Sequence, residues 1–133
     1  ASRSAAIRSG RLTDATLESG SGGVLAMLEA LLPANPEAGR NWRVWFAFWG
    51  LAFADPELAR EQHLRAREFE TRIDAMLAAD PDYAALPAPA RAMLAARLFS
   101  TLVGVAMQAV FDPEAWPPER QCALLRSTLQ AAG

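Results

Sequence analysis

Lysine is missing altogether: all 13 basic residues are arginine, scattered among 15 acidic ones for a net charge of −2. Surfaces that bind nucleic acid gather positive charge on one face, and no such concentration is visible, so no residue of these 133 is assigned to DNA. A single cysteine, Cys122, excludes an internal disulfide and suits a reducing, cytoplasmic setting. The single histidine, His63, lies on a different segment, so metal-ligand spacing is excluded as well. The serines lack a nucleophile-elbow context, and the glycine-rich stretch 18–23, ESGSGG, has neither the lysine nor the preceding strand of a phosphate loop. No catalytic residue, metal or cofactor is expected, and the chain does not read as an enzyme. No uninterrupted apolar run approaches the roughly 20 residues that span a bilayer; the longest, 44–54, is broken by Gly50. With 52% hydrophobic residues and a mean hydropathy of +0.05, the chain reads as one soluble globular domain able to bury about two-thirds of its unfolded surface.

Aromatic residues, by contrast, are concentrated. Residues 41–53, NWRVWFAFWGLAF, hold most of the four Trp, six Phe and one Tyr. Trp42, Trp45, Phe46, Trp49 and Phe53 fall at i, i+3, i+4, i+7 and i+11, which places them on one face of a helix. The other side, with Val44, Ala47, Phe48, Leu51 and Ala52, leaves Arg43 as the only charge. A helix apolar all round has to be enclosed, so this one is expected to be the central rod of the domain. Each buried aromatic contributes roughly 1.5–3 kcal/mol, which favours a packed core. Three indoles on one face also bring three N–H donors that need partners, which favours a cavity with an occupant. The residues alone leave core and cavity wall both open.

Taken in order, residues 1–23 are rich in Ser, Gly and Ala and read as a connecting segment, with a short helix at 5–9, a cap at Thr13 or Asp14 and a joint at 18–23. Residues 24–133 form the domain proper. A buried helix is predicted over 24–32. Asn35 can then cap the aromatic helix while Pro36 takes its first position, giving a helix over 36–54. Asp55-Pro56 repeats that grammar and starts a helix to residue 79, with the stripe Leu58, Gln62, Ala66, Phe69, Ile73, Met76 and Leu77. Its other face carries Glu61 with Arg65 and Glu68 with Arg72, i,i+4 pairs read as solvated. Residues 90–111 form a second helix apolar on nearly every side. One small domain has too little chain to cover two such rods, so part of this surface is expected to meet another subunit. A last helix spans 118–130. Nothing reads as a strand, and the fold class is all-α, a bundle of five to six helices.

Isolated polar residues add candidates without a constellation. His63 borders the apolar stripe and suits either a hydrogen bond to a neighbouring helix or a ligand contact. Arg43 and Arg97 suit a salt bridge or a ligand carboxylate. Gln108 needs a partner from a ligand or a second subunit. Trp116, between two proline turns, reads as a loop anchor.

The run LLPANPEAGRNWRVWFAFWGLAFADPELAREQ, followed by Phe69, Ile73 and Leu77, resembles the regulatory half of TetR-family transcriptional repressors, in particular the subgroup like the betaine-pathway repressor. LFSTLVGVAMQAVFDPEAWPPE resembles the penultimate helix of that subgroup and the start of its last one, although Val103 stands where an Asp is usual. The resemblance covers roughly residues 24–130. It implies a homodimer whose helices from Ala90 and Pro118 build a four-helix interface. It also implies a small apolar, aromatic or cationic effector, and operator DNA bound through a helix-turn-helix domain that these 133 residues do not contain. The expected ligand contacts are Trp42, Trp45, Phe46, Trp49 and Phe69, together with Phe53, His63 and Phe99. The expected interface residues are Leu102, Ala106, Val110, Leu124, Leu125 and Thr128. The reading set against this is a helical dimerisation or interaction module that binds neither ligand nor DNA.

Overall fold

A computed structural model describes residues 23–131, which form five α-helices and, among the described residues, no strand. They are α1 (Gly23–Leu31), α2 (Pro36–Ala52), α3 (Pro56–Ala79), α4 (Ala88–Phe111) and α5 (Pro118–Gln130). The helix expected at 5–9, the cap at 13–14 and all but the last residue of the joint at 18–23 lie outside the described residues. Gly23 opens α1 with φ +67°, in the left-handed region that side-chain-bearing residues seldom adopt.

The caps follow the sequence closely. Asn35 Oδ1 accepts a hydrogen bond from the Ala38 amide at 2.9 Å, and Asp55 Oδ1 accepts one from the Glu57 amide at 3.0 Å. Each proline that follows occupies a position whose missing N–H has no helical partner to lose. α2 stops at Ala52, two residues short of the predicted end, and Phe53 caps it. α4 starts two residues early, because Pro89 is tolerated in the first turn.

The centre of the bundle is α4, not the aromatic helix. α4 packs against α2, α3 and α5, and seven of its residues are buried, whereas α2 buries only Ala52 fully. Ala95, Ala106 and Ala109 alternate with Leu94, Leu98, Leu102 and Val105 on α4, so neighbouring backbones approach it on several sides. The bulky rings of α2 fill no such seam and hold one side of the bundle apart. α4 is also long and apolar enough to cross a membrane, with a mean hydropathy of 1.6 over its most apolar window. Arg91 and Arg97 interrupt its sequence and hide that property from a count of uninterrupted runs; its buried seam is that of a core helix.

α1 and α5, the first and last described helices, are fastened together. Val24, Met27 and Leu28 of α1 join Leu125 and Leu129 of α5 in the core. Buried Gln121 donates through Nε2 to the Trp116 carbonyl at 2.9 Å and to the Pro33 carbonyl at 3.4 Å, and Arg126 pairs with Glu29 at 3.1 Å. Trp116 is the anchor expected of it: half-buried against the core, with the Arg120 guanidinium 4.1 Å from its ring centroid. Burial pushes the neighbouring Cys122 thiol above its ordinary pKa, reinforced by the Glu29 carboxylate.

Candidate functional site

The side that α2 holds open is a half-open cavity of about 580 Å³. α1 supplies Ala30 and Leu31, and Trp42, Trp45 and Trp49 of α2 form one wall. Gln62, Arg65, Ala66 and Phe69 of α3 face in from the next helix, and Phe99, Leu102 and Val103 of α4 complete the lining. Asn35, Glu37 and Asn41 stand on the same lining where α2 begins.

Ring packing keeps the wall in place. Trp42 donates through Nε1 to the Leu31 carbonyl at 2.7 Å, which spends one of the three indole donors inside the protein. Its ring lies 5.5 Å from Phe46 and 6.4 Å from Trp49, and Phe46 lies 5.4 Å from Trp49. Phe46 is therefore a brace between two wall residues and is not itself in the lining. Opposite, Phe69 and Phe99 pack with centroids 5.2 Å apart and tie α3 to α4. Such aromatic pairs add about 0.5–1.5 kcal/mol beyond their buried area and brace the two sides of the cavity. Trp42→Phe keeps the ring packing and deletes the bond to Leu31; it is expected to lower stability by about 1–2 kcal/mol, read from urea unfolding.

The electrostatics depend on Arg65. Its guanidinium lies 5.4 Å from the Trp45 centroid and its Nη2 is 2.6 Å from Glu61 Oε1. The pair read as part of a solvated face thus sends its cation to the cavity. Two buried polar atoms have no hydrogen-bond partner there: Trp49 Nε1, a donor, and Gln62 Oε1, an acceptor. Sequence reasoning passed over Gln62 and Arg65 as ligand contacts. The one signal for Gln62 was a polar residue within an apolar stripe.

Of the eight expected contacts, Trp42, Trp45, Trp49, Phe69 and Phe99 meet at the cavity. Phe53 does not: its backbone is still helical and its amide donates to the Trp49 carbonyl at 3.1 Å, but its ring is 93% exposed because nothing covers that end of α2. His63 is exposed and outside the lining, one residue along from Gln62 and turned to the other side of α3. Arg43, Arg97 and Gln108 are also exposed and outside it; Gln108 donates only to the Gly104 carbonyl of its own helix, at 3.5 Å. Of the residues expected at an interface, Leu102, Ala106 and Leu125 are buried inside this chain and present no surface to a partner. Val110, Leu124 and Thr128 retain exposure. Thr128 also donates to the Leu124 carbonyl at 3.1 Å and shares a 3.3 Å hydrogen bond with Thr101 across the α4–α5 seam. Among the described residues no group of three His, Cys, Asp or Glu side chains is placed to hold a metal.

The described residues thus form an all-helical bundle with an aromatic-walled cavity between three of its helices. The chain belongs to the family described as BetI-type transcriptional repressor, C-terminal, whose match runs over residues 22–133. It is thus a regulatory repressor domain, from a family of transcriptional regulators and not of enzymes. No curated protein and no solved structure matches it.

Proposed function

We propose that this domain senses a small molecule in the cavity between α2, α3 and α4, dimerises through α4 and α5, and controls operator binding by a helix-turn-helix segment outside these 133 residues. The observation that carries the reading is the cavity of about 580 Å³ walled by three indoles and two phenylalanines. That volume suits a small organic effector, and its lining suits an apolar, aromatic or cationic one. An occupant bridging three helices acts by population shift: it favours whichever arrangement of α2 and α3 against α4 it fits best. Because α4 also carries exposed Met93, Met107 and Phe111, a change in its setting reaches the surface assigned to the partner.

The test is tryptophan fluorescence across a panel of small apolar, aromatic and quaternary ammonium compounds. At least one is expected to change the emission of the parent chain with saturable affinity, and Trp45→Ala is expected to weaken that response about ten-fold or more. A panel that leaves the parent unchanged, or a response that Trp45→Ala leaves intact, removes the cavity as the sensing site.

A further inference from the structure

Two atoms of opposite hydrogen-bonding character are left over in the cavity wall. Trp49 Nε1 on α2 can only donate and Gln62 Oε1 on α3 can only accept; both are buried and neither has a partner. Folded proteins satisfy nearly all such atoms, and Trp42 in the same wall illustrates it by donating to the Leu31 carbonyl. The unmet pair calls for a group that accepts from one helix and donates to the other.

Formal charge is not what the wall lacks. Trp45 already has a cation at its ring, because the Arg65 guanidinium lies 5.4 Å from the centroid. The charge of Arg65 is in turn met by Glu61 at 2.6 Å, which leaves little attraction for an anionic ligand. Glu37, the carboxylate of the lining, is exposed in the first turn of α2, where water and the helix N-terminus both stabilise it.

We propose that the ligand is a neutral molecule with an aromatic or apolar body and one head group that both accepts and donates a hydrogen bond, such as a hydroxyl or a carboxamide, seated between Trp49 Nε1 and Gln62 Oε1. The inference rests on the cavity being the effector site and specifies what that site selects. A site that hydrogen-bonds a ligand group discriminates sharply against the analogue without it, since its own polar atoms are then left unpaired.

Three probes on one ethylphenyl body decide it: 4-ethylphenol, 4-ethyltoluene and 4-ethylphenyltrimethylammonium, titrated into the full chain with tryptophan emission excited at 295 nm. 4-Ethylphenol is expected to bind about ten-fold tighter than either of the others. Gln62→Leu and Trp49→Phe should each cut the preference for 4-ethylphenol over 4-ethyltoluene to about three-fold, and the double variant should abolish it. Gln62→Leu alters no ring, so it carries the test alone should Trp49→Phe fail to fold, with far-UV circular dichroism as the check. Equal binding of the phenol and the toluene overturns the polar head and leaves the cavity reading standing. Tightest binding of the ammonium compound overturns neutrality. No response to any of the three overturns the cavity reading, and this inference with it.

Discussion

The double variant Met107→Glu/Phe111→Glu is expected to sediment as a monomer at concentrations where the parent chain sediments as a dimer. Met107 and Phe111 are one turn apart on α4, and Met93 and Ser100 continue the same outward line at heptad spacing. Phe111 is 82% exposed, and Met93, Met107 and Leu124 are exposed large apolar side chains on the two helices assigned to the partner. Scattered apolar residues need no explanation, but an apolar line along the most apolar helix of the domain is what an isologous interface uses. In a two-fold dimer each substitution appears twice, so four carboxylates enter one patch. Residues of this size at an interface contribute on the order of 1 kcal/mol per copy, so the four copies replaced are expected to raise the dimer Kd by about 10³. Sedimentation velocity reads the result directly. A parent chain that is monomeric at high micromolar concentration, or a double variant that stays dimeric, rejects α4 as the interface; unchanged helicity shows that the fold survived.

Leu98→Ala is expected to lower stability by about 2–5 kcal/mol, and to lower Tm by about 10 °C or more. Leu98 is wholly buried in α4 beside Leu94, Ala95 and Leu102, and the shared core brings Ile73 and Leu77 from α3 and Leu125 from α5. Three helices converge there, so few ways exist for the surroundings to collapse into the void. Phe53→Ala, which removes a larger side chain, is expected to change stability by no more than about 0.5 kcal/mol, because Phe53 is in solvent. Urea unfolding of the two variants side by side checks both. A Phe53→Ala loss as large as that of Leu98→Ala would show that the aromatic helix, and not α4, is the centre of the domain.

That contrast marks what the residues made legible. Helix starts were readable because Asn35-Pro36 and Asp55-Pro56 act locally: the cap accepts amides a few residues on, whatever surrounds it. Most of the aromatic wall was readable because 3.6-residue periodicity holds throughout α2; Phe53 follows it as well, and what the sequence did not tell is that nothing covers that end of the helix. Which of two apolar helices lies at the centre was not readable. Composition makes both α2 and α4 apolar all round, and the difference lies in side-chain size: alanines on α4 admit close neighbours and indoles on α2 do not. The inward turn of Arg65 was hidden for a related reason. An i,i+4 pair with Glu61 looks the same from the sequence whether its cation meets water or a tryptophan from another helix. Leu102, Ala106 and Leu125 were assigned outward because an apolar helix does not announce which of its stripes its own chain will cover.

The bonds joining the two ends of the described chain bear on how the domain opens. Gln121 reaches a carbonyl 88 residues away and Arg126 a carboxylate 97 residues away. Closing a loop of that length costs on the order of 4 kcal/mol of chain entropy, a cost borne once and shared by every contact between α1 and α5. Neither helix can detach without releasing that constraint for the other, so the two are expected to exchange their amide hydrogens as one cooperative unit, which native-state hydrogen exchange reads. Ala30 and Leu31 of α1 border the cavity, and Leu124 of α5 is exposed and outside its lining. Whatever steadies the cavity border against local opening is therefore expected to slow exchange in α5 as well, with no displacement of either helix.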